Sequence, residues 1–250
     1  VSYLYYADRI YQINLAIAGI AIGTVILPNL SRHIKSNNYI KTIELQNKAL
    51  ELSLFLSLPA SLALMVGSEQ VTSALFGYGS FDQVSVTNSA KALFYFSLGL
   101  PAFSLIKIFS TFLFARNDTK TPFKYSLISV ILNLIISLTF FPQVGFIIIP
   151  IATTISSWFN GIILLIFVTN KKYFKFSSNF VMQITKIIFS NLIAISVFYF
   201  LISFLSRSLD YFNNYKFIFI IFIVLLTFIL YIGVSIIIKA FKISDINLKY

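Results

Sequence analysis

The chain has 250 residues, 58% of them hydrophobic and only 11% charged, against roughly a quarter charged in an ordinary soluble domain. A water-soluble fold of this length hides about three quarters of its surface, so this composition, with 28 phenylalanines, excludes a soluble enzyme and requires lipid as the solvent. The net charge of +11 does not mark a nucleic-acid partner, because Lys and Arg sit in short connections without a basic stripe; no cysteine and one histidine leave no thiol chemistry and no His-rich metal site.

In chain order, apolar runs predict seven transmembrane helices, at 10–30, 49–67, 92–115, 125–141, 144–168, 187–205 and 217–238. Most reach the roughly 20 residues that cross a bilayer core, while 125–141 is short. None has the two-residue alternation of a membrane β-barrel, so the fold class is all-α, a polytopic transmembrane helix bundle. Residues 32–48 interleave Ile34, Ile40, Ile43 and Leu45 with basic and polar groups, which suits either an interfacial helix or a solvated connector. Residues 69–81 are amphipathic and are expected to lie along the outer membrane surface. Pro59 and Pro101 fall inside spans and predict bends. Thr121 as N-cap, with Pro122 at the first helical position, predicts the start of the fourth span. Alternate connections hold fourteen and three basic residues, the richer set including Arg32, Lys35, Arg116, Lys171, Lys239, Lys242 and Lys249; this places the C-terminus in the cytoplasm. Val1 is not an initiator methionine, which is expected of a piece of a longer protein.

No hydrolase, nucleotide-binding or zinc pattern is present, which leaves polar groups at membrane depth as the functional candidates. Asp8 and Arg9 open the first span; spacing leaves Arg9 either snorkelling amid a tyrosine belt or facing a cavity as an anion ligand. Lys107 interrupts an apolar run about 13 Å along its helix from Arg116, too deep to reach the surface comfortably, and faces protein, water or ligand. Arg116 belongs to a tight turn, where capping and topogenesis compete with substrate contact. Asn133, Ser137, Thr153, Thr154, Ser156, Ser157 and Asn160 are spaced for interhelical hydrogen bonds or a polar path.

The segments YYADRIYQ at 5–12 and GIAIGTVILPNLSR at 19–32 resemble the MurJ (MviN) family of lipid-linked peptidoglycan precursor flippases. LPAS at 58–61, LFGYGSF at 75–81, YFSLGLP at 95–101 and FARNDTKTP at 114–122 continue the likeness in the family's order, over about residues 1–170. The resemblance implies half of a fourteen-helix, two-lobed flippase: residues 1–170 as the C-terminal lobe of the core, and 171–250 as two added helices that form a groove for a polyprenyl tail. It implies a missing N-terminal lobe as partner and a cavity in which Arg9 binds the substrate pyrophosphate; Asp8, to orient or counterbalance it, Lys107, to add positive field, and Arg116 are the further candidate substrate-binding residues. It also raises a sodium site through Asn133 and Thr153, but Ser137 stands where an acid is expected; no other cofactor and no metal is implied.

The expected function is therefore movement of lipid II, the undecaprenyl-pyrophosphate-linked precursor, from the cytoplasmic to the outer leaflet of a bacterial inner membrane, with no bond broken. A cation-coupled drug or solute exporter of the same superfamily and an inactive half-transporter are the alternatives. The first expects an acid at the middle of a span, and the apolar runs after residue 9 hold only Glu51, at the very start of 49–67.

Overall fold

A computed structural model describes residues 2–16 and 22–240 of the chain. Its helices are α1 (Ser2–Leu15), α2 (Ile22–Lys35), α3 (Tyr39–Val66), α4 (Ser68–Phe76), α5 (Gln83–Phe114), α6 (Lys120–Val144), α7 (Ile148–Asn170), α8 (Phe180–Phe204) and α9 (Lys216–Ile237). Polar side chains set several starts. The Asn38 amide oxygen accepts from the Lys41 N–H at the head of α3, and Asp82 accepts from the Ser85 N–H at the head of α5. Hydrogen bonds from Ser85 hold the Asp82 carboxyl below its ordinary range, so the cap persists as the charged form through neutral pH.

Among the described residues, five helical stretches are long and apolar enough to cross a membrane: Tyr39–Val66, Gln83–Phe114, Lys120–Asn170, Phe180–Phe204 and Lys216–Ile237. The 51-residue third stretch is two spans. Gly145, at φ +71, takes a left-handed conformation that side chains disfavour, and the chain reverses there. Cross-helix pairs Asn160–Ser126, Ser156–Ser129 and Thr153–Asn133 then run in opposite senses, the signature of an antiparallel α6–α7 hairpin. The predicted short span 125–141 is the interior of this 25-residue α6, whose polar ends resemble connections in the sequence.

The first predicted span, 10–30, falls on α1 and α2 and includes residues 17–21, which lie outside the described residues. So do Lys242, Lys249 and part of the 19–32 motif. Three expectations are corrected. Residues 32–48 form neither an interfacial helix nor a solvated connector: they are the last turn of α2, a short turn around Asn37 at φ +53, and the first turns of α3. Thr121 is not the cap of α6, which begins at Lys120; the Asp118 carboxylate accepts from the Thr121 N–H instead. Residues 69–81 are only partly a free surface element, since α4 buries Thr72, Ser73 and Ala74 against its neighbours.

Helix α5 is the hub, packed against α1, α2, α3, α4 and α7. Ser53, Ser57 and Ser61 recur every four residues on α3, and with Ser89, Ser97 and Ser104 buried on α5 they let two backbones approach closely. One apolar cluster joins Ile26, Leu50, Phe109, Phe112, Leu164 and Phe174; a second joins Ala7, Tyr11, Leu64, Leu93 and Phe96 toward the other end. The outside is just as apolar. Leu134, Leu138, Phe222 and Ile229 are all more than half exposed, as expected of side chains that meet lipid.

The ends of the bundle differ. At one, the α5–α6 and α7–α8 connections and α3 meet through Arg116 to the Tyr173 carbonyl and Asn47 to the Lys175 carbonyl. At the other, Tyr211 donates to the Phe81 carbonyl and Lys216 to the Gly77 carbonyl. The connections grouped by charge alternation in the sequence are thus grouped in space. Gly77 is required at the second end: a Cβ there would lie 2.6 Å from the Ser73 carbonyl oxygen and 3.2 Å from Lys216 Nζ. Gly77→Ala is expected to destabilise by about 1–3 kcal/mol, read as a lowered thermal midpoint in detergent. An unchanged midpoint would mean that the turn relaxes around the methyl group.

Candidate functional site

Helix α1 is two-sided. Ala7, Ile10 and Tyr11 are buried, with Tyr11 held between Phe96 and Phe103 of α5 at ring-centroid distances of 5.5 and 5.3 Å. Tyr5, Arg9 and Gln12, at four- and three-residue steps, form the exposed side. The Arg9 guanidinium lies 4.7 Å from the centre of the Tyr5 ring, which supports the cation from one face and leaves its N–H edges open. Asp8 accepts from Gln12 Nε2 one turn on, so the carboxylate is tethered on α1.

Lys107 sits on the stripe of α5 that faces α1 and α2. One turn before it Phe103 meets Tyr11; one turn after it the Thr111 hydroxyl lies where a Cβ on Gly23 would come within 3.0 Å. Lys107 is nevertheless exposed. With Tyr11 midway between Phe96 and Phe103, the helical rise puts Lys107 about 14 Å from Arg9 along the bundle axis. The same α1–α5 pair therefore carries both cations. Arg116 is elsewhere. Its guanidinium donates to the Phe112 and Tyr173 carbonyls, both at 2.8 Å, and lies 4.7 Å from the Tyr173 ring centre, so it ties the end of α5 to the α7–α8 connection.

Asn133 and Thr153 are brought together at 3.1 Å in the α6–α7 seam. Ser137 donates to the Asn133 amide oxygen and Thr153 to the Ile149 carbonyl, so the oxygens that would ligate a cation are engaged with one another. The set is neutral, and among the described residues no group of three or more His, Cys, Asp or Glu could hold a metal ion. A hard cation needs several free oxygens and compensating charge; these residues do not fit it and do fit interhelical packing.

A second feature is only half visible in the sequence. Helices α3, α8 and α9 form most of a half-open apolar cavity of about 380 Å³, lined by Pro59, Ala60 and Ala63, by Ala194 and Phe198, and by Val224, Thr227 and Tyr231, with Ile10 of α1 and Val71 of α4 also on its wall. The family resemblance implies a groove from the last two helices; it does not imply the contribution of α3. The signal for α3 is the small pair Ala60 and Ala63 beside a proline, which also reads as ordinary helix packing.

Residues 1–220 match the family model described as "Lipid II flippase MurJ". The chain belongs to the MurJ lipid II flippase family. It is 44% identical over 164 residues to the MurJ relative of Rhizobium meliloti (strain 1021), an alignment covering 66% of this chain and 31% of that protein. With the relative from Rickettsia prowazekii (strain Madrid E) it shares 40% over 160 residues, 64% of this chain and 32% of the other. A solved structure of lipid II flippase MurJ in an inward closed conformation superposes with a TM-score of 0.77 at 26% identity, covering 96% of this chain and 47% of that one. The chain thus spans about a third of the length of these sequence relatives and about half of the solved structure. Family membership and the apolar helices make it a multi-pass membrane protein.

Proposed function

We propose that this chain forms the C-terminal half of a flippase that moves lipid II from the cytoplasmic to the outer leaflet by alternating access, together with a preceding lobe. The observation that carries the reading is Arg9, a guanidinium exposed on a helix of a lipid-bathed bundle. A cation in hydrocarbon costs several kcal/mol unless water or an anion meets it, so the exposed side of α1 is best explained as the wall of a wet chamber completed by the other lobe. Arginine suits a pyrophosphate there, because its planar fork offers paired N–H donors and its charge does not titrate away. Tyr5 holds the fork from behind, Asp8 and Gln12 balance charge on the same turn, and Lys107 adds positive potential deeper in. Arg116 contributes through the fold and the local field.

The apolar cavity between α3, α8 and α9 suits a polyprenyl chain, which gains nothing from polar walls. The end richer in Lys and Arg faces the cytoplasm by the positive-inside rule, which puts the C-terminus there, in a bacterial inner membrane. An inside-negative potential then favours outward movement of the anionic head by about 2.3 kcal/mol per charge per 100 mV. Shielding and transfer need no bond to break, and the chain acts as a transporter and not as an enzyme.

Depletion of the full-length protein tests this. Lipid II is expected to accumulate in the cytoplasmic leaflet while its synthesis continues; no accumulation would overturn the assignment.

A further inference from the structure

Proline removes a backbone donor, so within a helix the carbonyl four residues earlier loses its partner. At Pro59 of α3 that carbonyl belongs to Phe55, and it accepts from Tyr231 Oη of α9 at 2.8 Å in a buried setting. At Pro101 of α5 it belongs to Ser97, and it accepts from Ser61 Oγ of α3 at 2.6 Å, again buried. Each freed carbonyl, at a proline where a helix bends readily, is therefore satisfied by a hydroxyl from another helix. The two are in series. Tyr231 holds α3 on one side of the Pro59 bend, and Ser61, two residues beyond that bend, holds α5 on one side of the Pro101 bend. Lys107 lies beyond Pro101, and Tyr11 of α1 spans the bend by packing on Phe96 before it and Phe103 after it.

The start of this series is the apolar cavity. Both Tyr231 and Pro59 line it, so whatever fills it touches the first bend directly. Two further side chains grip the backbone near the second bend from α7: Thr154 donates to the Tyr95 carbonyl at 2.7 Å and Trp158 to the Leu98 carbonyl at 3.1 Å. These fix the early half of α5, leaving the bend itself as the place where displacement is taken up.

We propose that Ser61 and Tyr231 are positioning residues that couple the two proline bends, so that filling the α3–α8–α9 cavity with an apolar chain re-aims the Lys107 half of α5 against α1 and changes anion affinity there. This rests on the proposed assignment of the two sites to tail and pyrophosphate. The coupling must be reciprocal: an anion held near Arg9 and Lys107 changes affinity for the chain in the cavity by the same factor.

Two measurements on the full-length protein test it. The first needs no ligand: spin labels placed by Lys91→Cys and Phe114→Cys, both exposed positions, report the distance across the Pro101 bend. Tyr231→Phe, which removes one oxygen on a different helix, is expected to shift or broaden that distance, as is Ser61→Ala. In a Pro59→Ala background Tyr231→Phe should have no effect, because the backbone N–H restored at position 59 serves the Phe55 carbonyl. A purely local role for Tyr231 would leave the α5 distance unchanged, and that result overturns the proposal.

The second measurement titrates inorganic pyrophosphate with and without farnesol as the apolar probe. Farnesol is expected to change pyrophosphate affinity about fivefold or more in the wild type, and the factor should fall to about one in Ser61→Ala. Binding of both probes without mutual influence overturns the coupling. If neither probe binds while the label distances respond as described, the link between the bends stands and the assignment of the sites falls.

Discussion

Charge reversal at Arg9, as Arg9→Glu, is expected to abolish growth complementation by the full-length protein while leaving its amount in the membrane unchanged. Insertion should survive because Arg9 is exposed and its ring contact is with Tyr5, itself exposed, so no buried partner is stranded. Function should not survive. A paired, charge-assisted contact to phosphate is worth about 1.5–3 kcal/mol per hydrogen bond, and a carboxylate in its place adds repulsion. A loss of about 4 kcal/mol already lowers occupancy roughly a thousandfold. Arg9→Lys keeps the charge but loses the planar fork and should complement partially. Tyr5→Leu, which removes a contact worth about 0.5–1 kcal/mol at an exposed site, should weaken transport without ending it. Normal growth of Arg9→Glu at normal protein levels would remove Arg9 from the mechanism.

What the sequence discloses follows from which forces are local. Lipid as solvent is legible because composition is a whole-chain property, and the grouping of loops is legible because charge alternates with every crossing. Helix ends are less so. Lys41 and Lys48 lie on α3 although their charge groups them with the preceding loop, since a cation near a membrane boundary is tolerated on a helix as readily as in a connection. Thr121 looks like a cap by residue type, but the cap is decided by which side chain reaches a free N–H, and Asp118 does so. For the candidate site, Asp8 and Arg9 stand out by their place in an apolar run, whereas the Tyr5 ring behind Arg9 is visible only as part of a belt. The partners of the Phe55 and Ser97 carbonyls lie 176 and 36 residues away in sequence, and no local pattern encodes them. Pro59 and Pro101 are visible in the sequence as prolines inside spans; what satisfies the carbonyl each one frees is not.

Lys216 shows the same gap at its widest. In the sequence it is one of three cations in the poorer loops; in the structure it is 1% exposed and among the largest fully buried side chains. Its ammonium donates to the Gly77 carbonyl at 2.6 Å and the Tyr211 carbonyl at 2.7 Å, with the rings of Tyr78 and Tyr211 centred 4.4 and 4.5 Å away. The residue fastens the first turn of α9 to the turn that follows α4, at one end of the α8–α9 hairpin. Lys216→Met keeps the length and the apolar stem but leaves two buried carbonyls without this donor, at about 1–3 kcal/mol each, and forfeits the ring contacts as well. A loss of about 3–5 kcal/mol is expected, read as a marked fall in thermal midpoint and as faster tryptic cleavage at exposed Arg207 in the adjoining loop. Lys216→Arg should rescue little, because a guanidinium is too broad for a cage in which even a methyl on Gly77 would lie 3.2 Å from the nitrogen. The opposite pattern, with Met and Arg variants both melting like the wild type, would mean that the hairpin is held by the apolar contacts of Phe198, Ile202, Ile220 and Ile223 alone, and that the buried ammonium contributes no net stability.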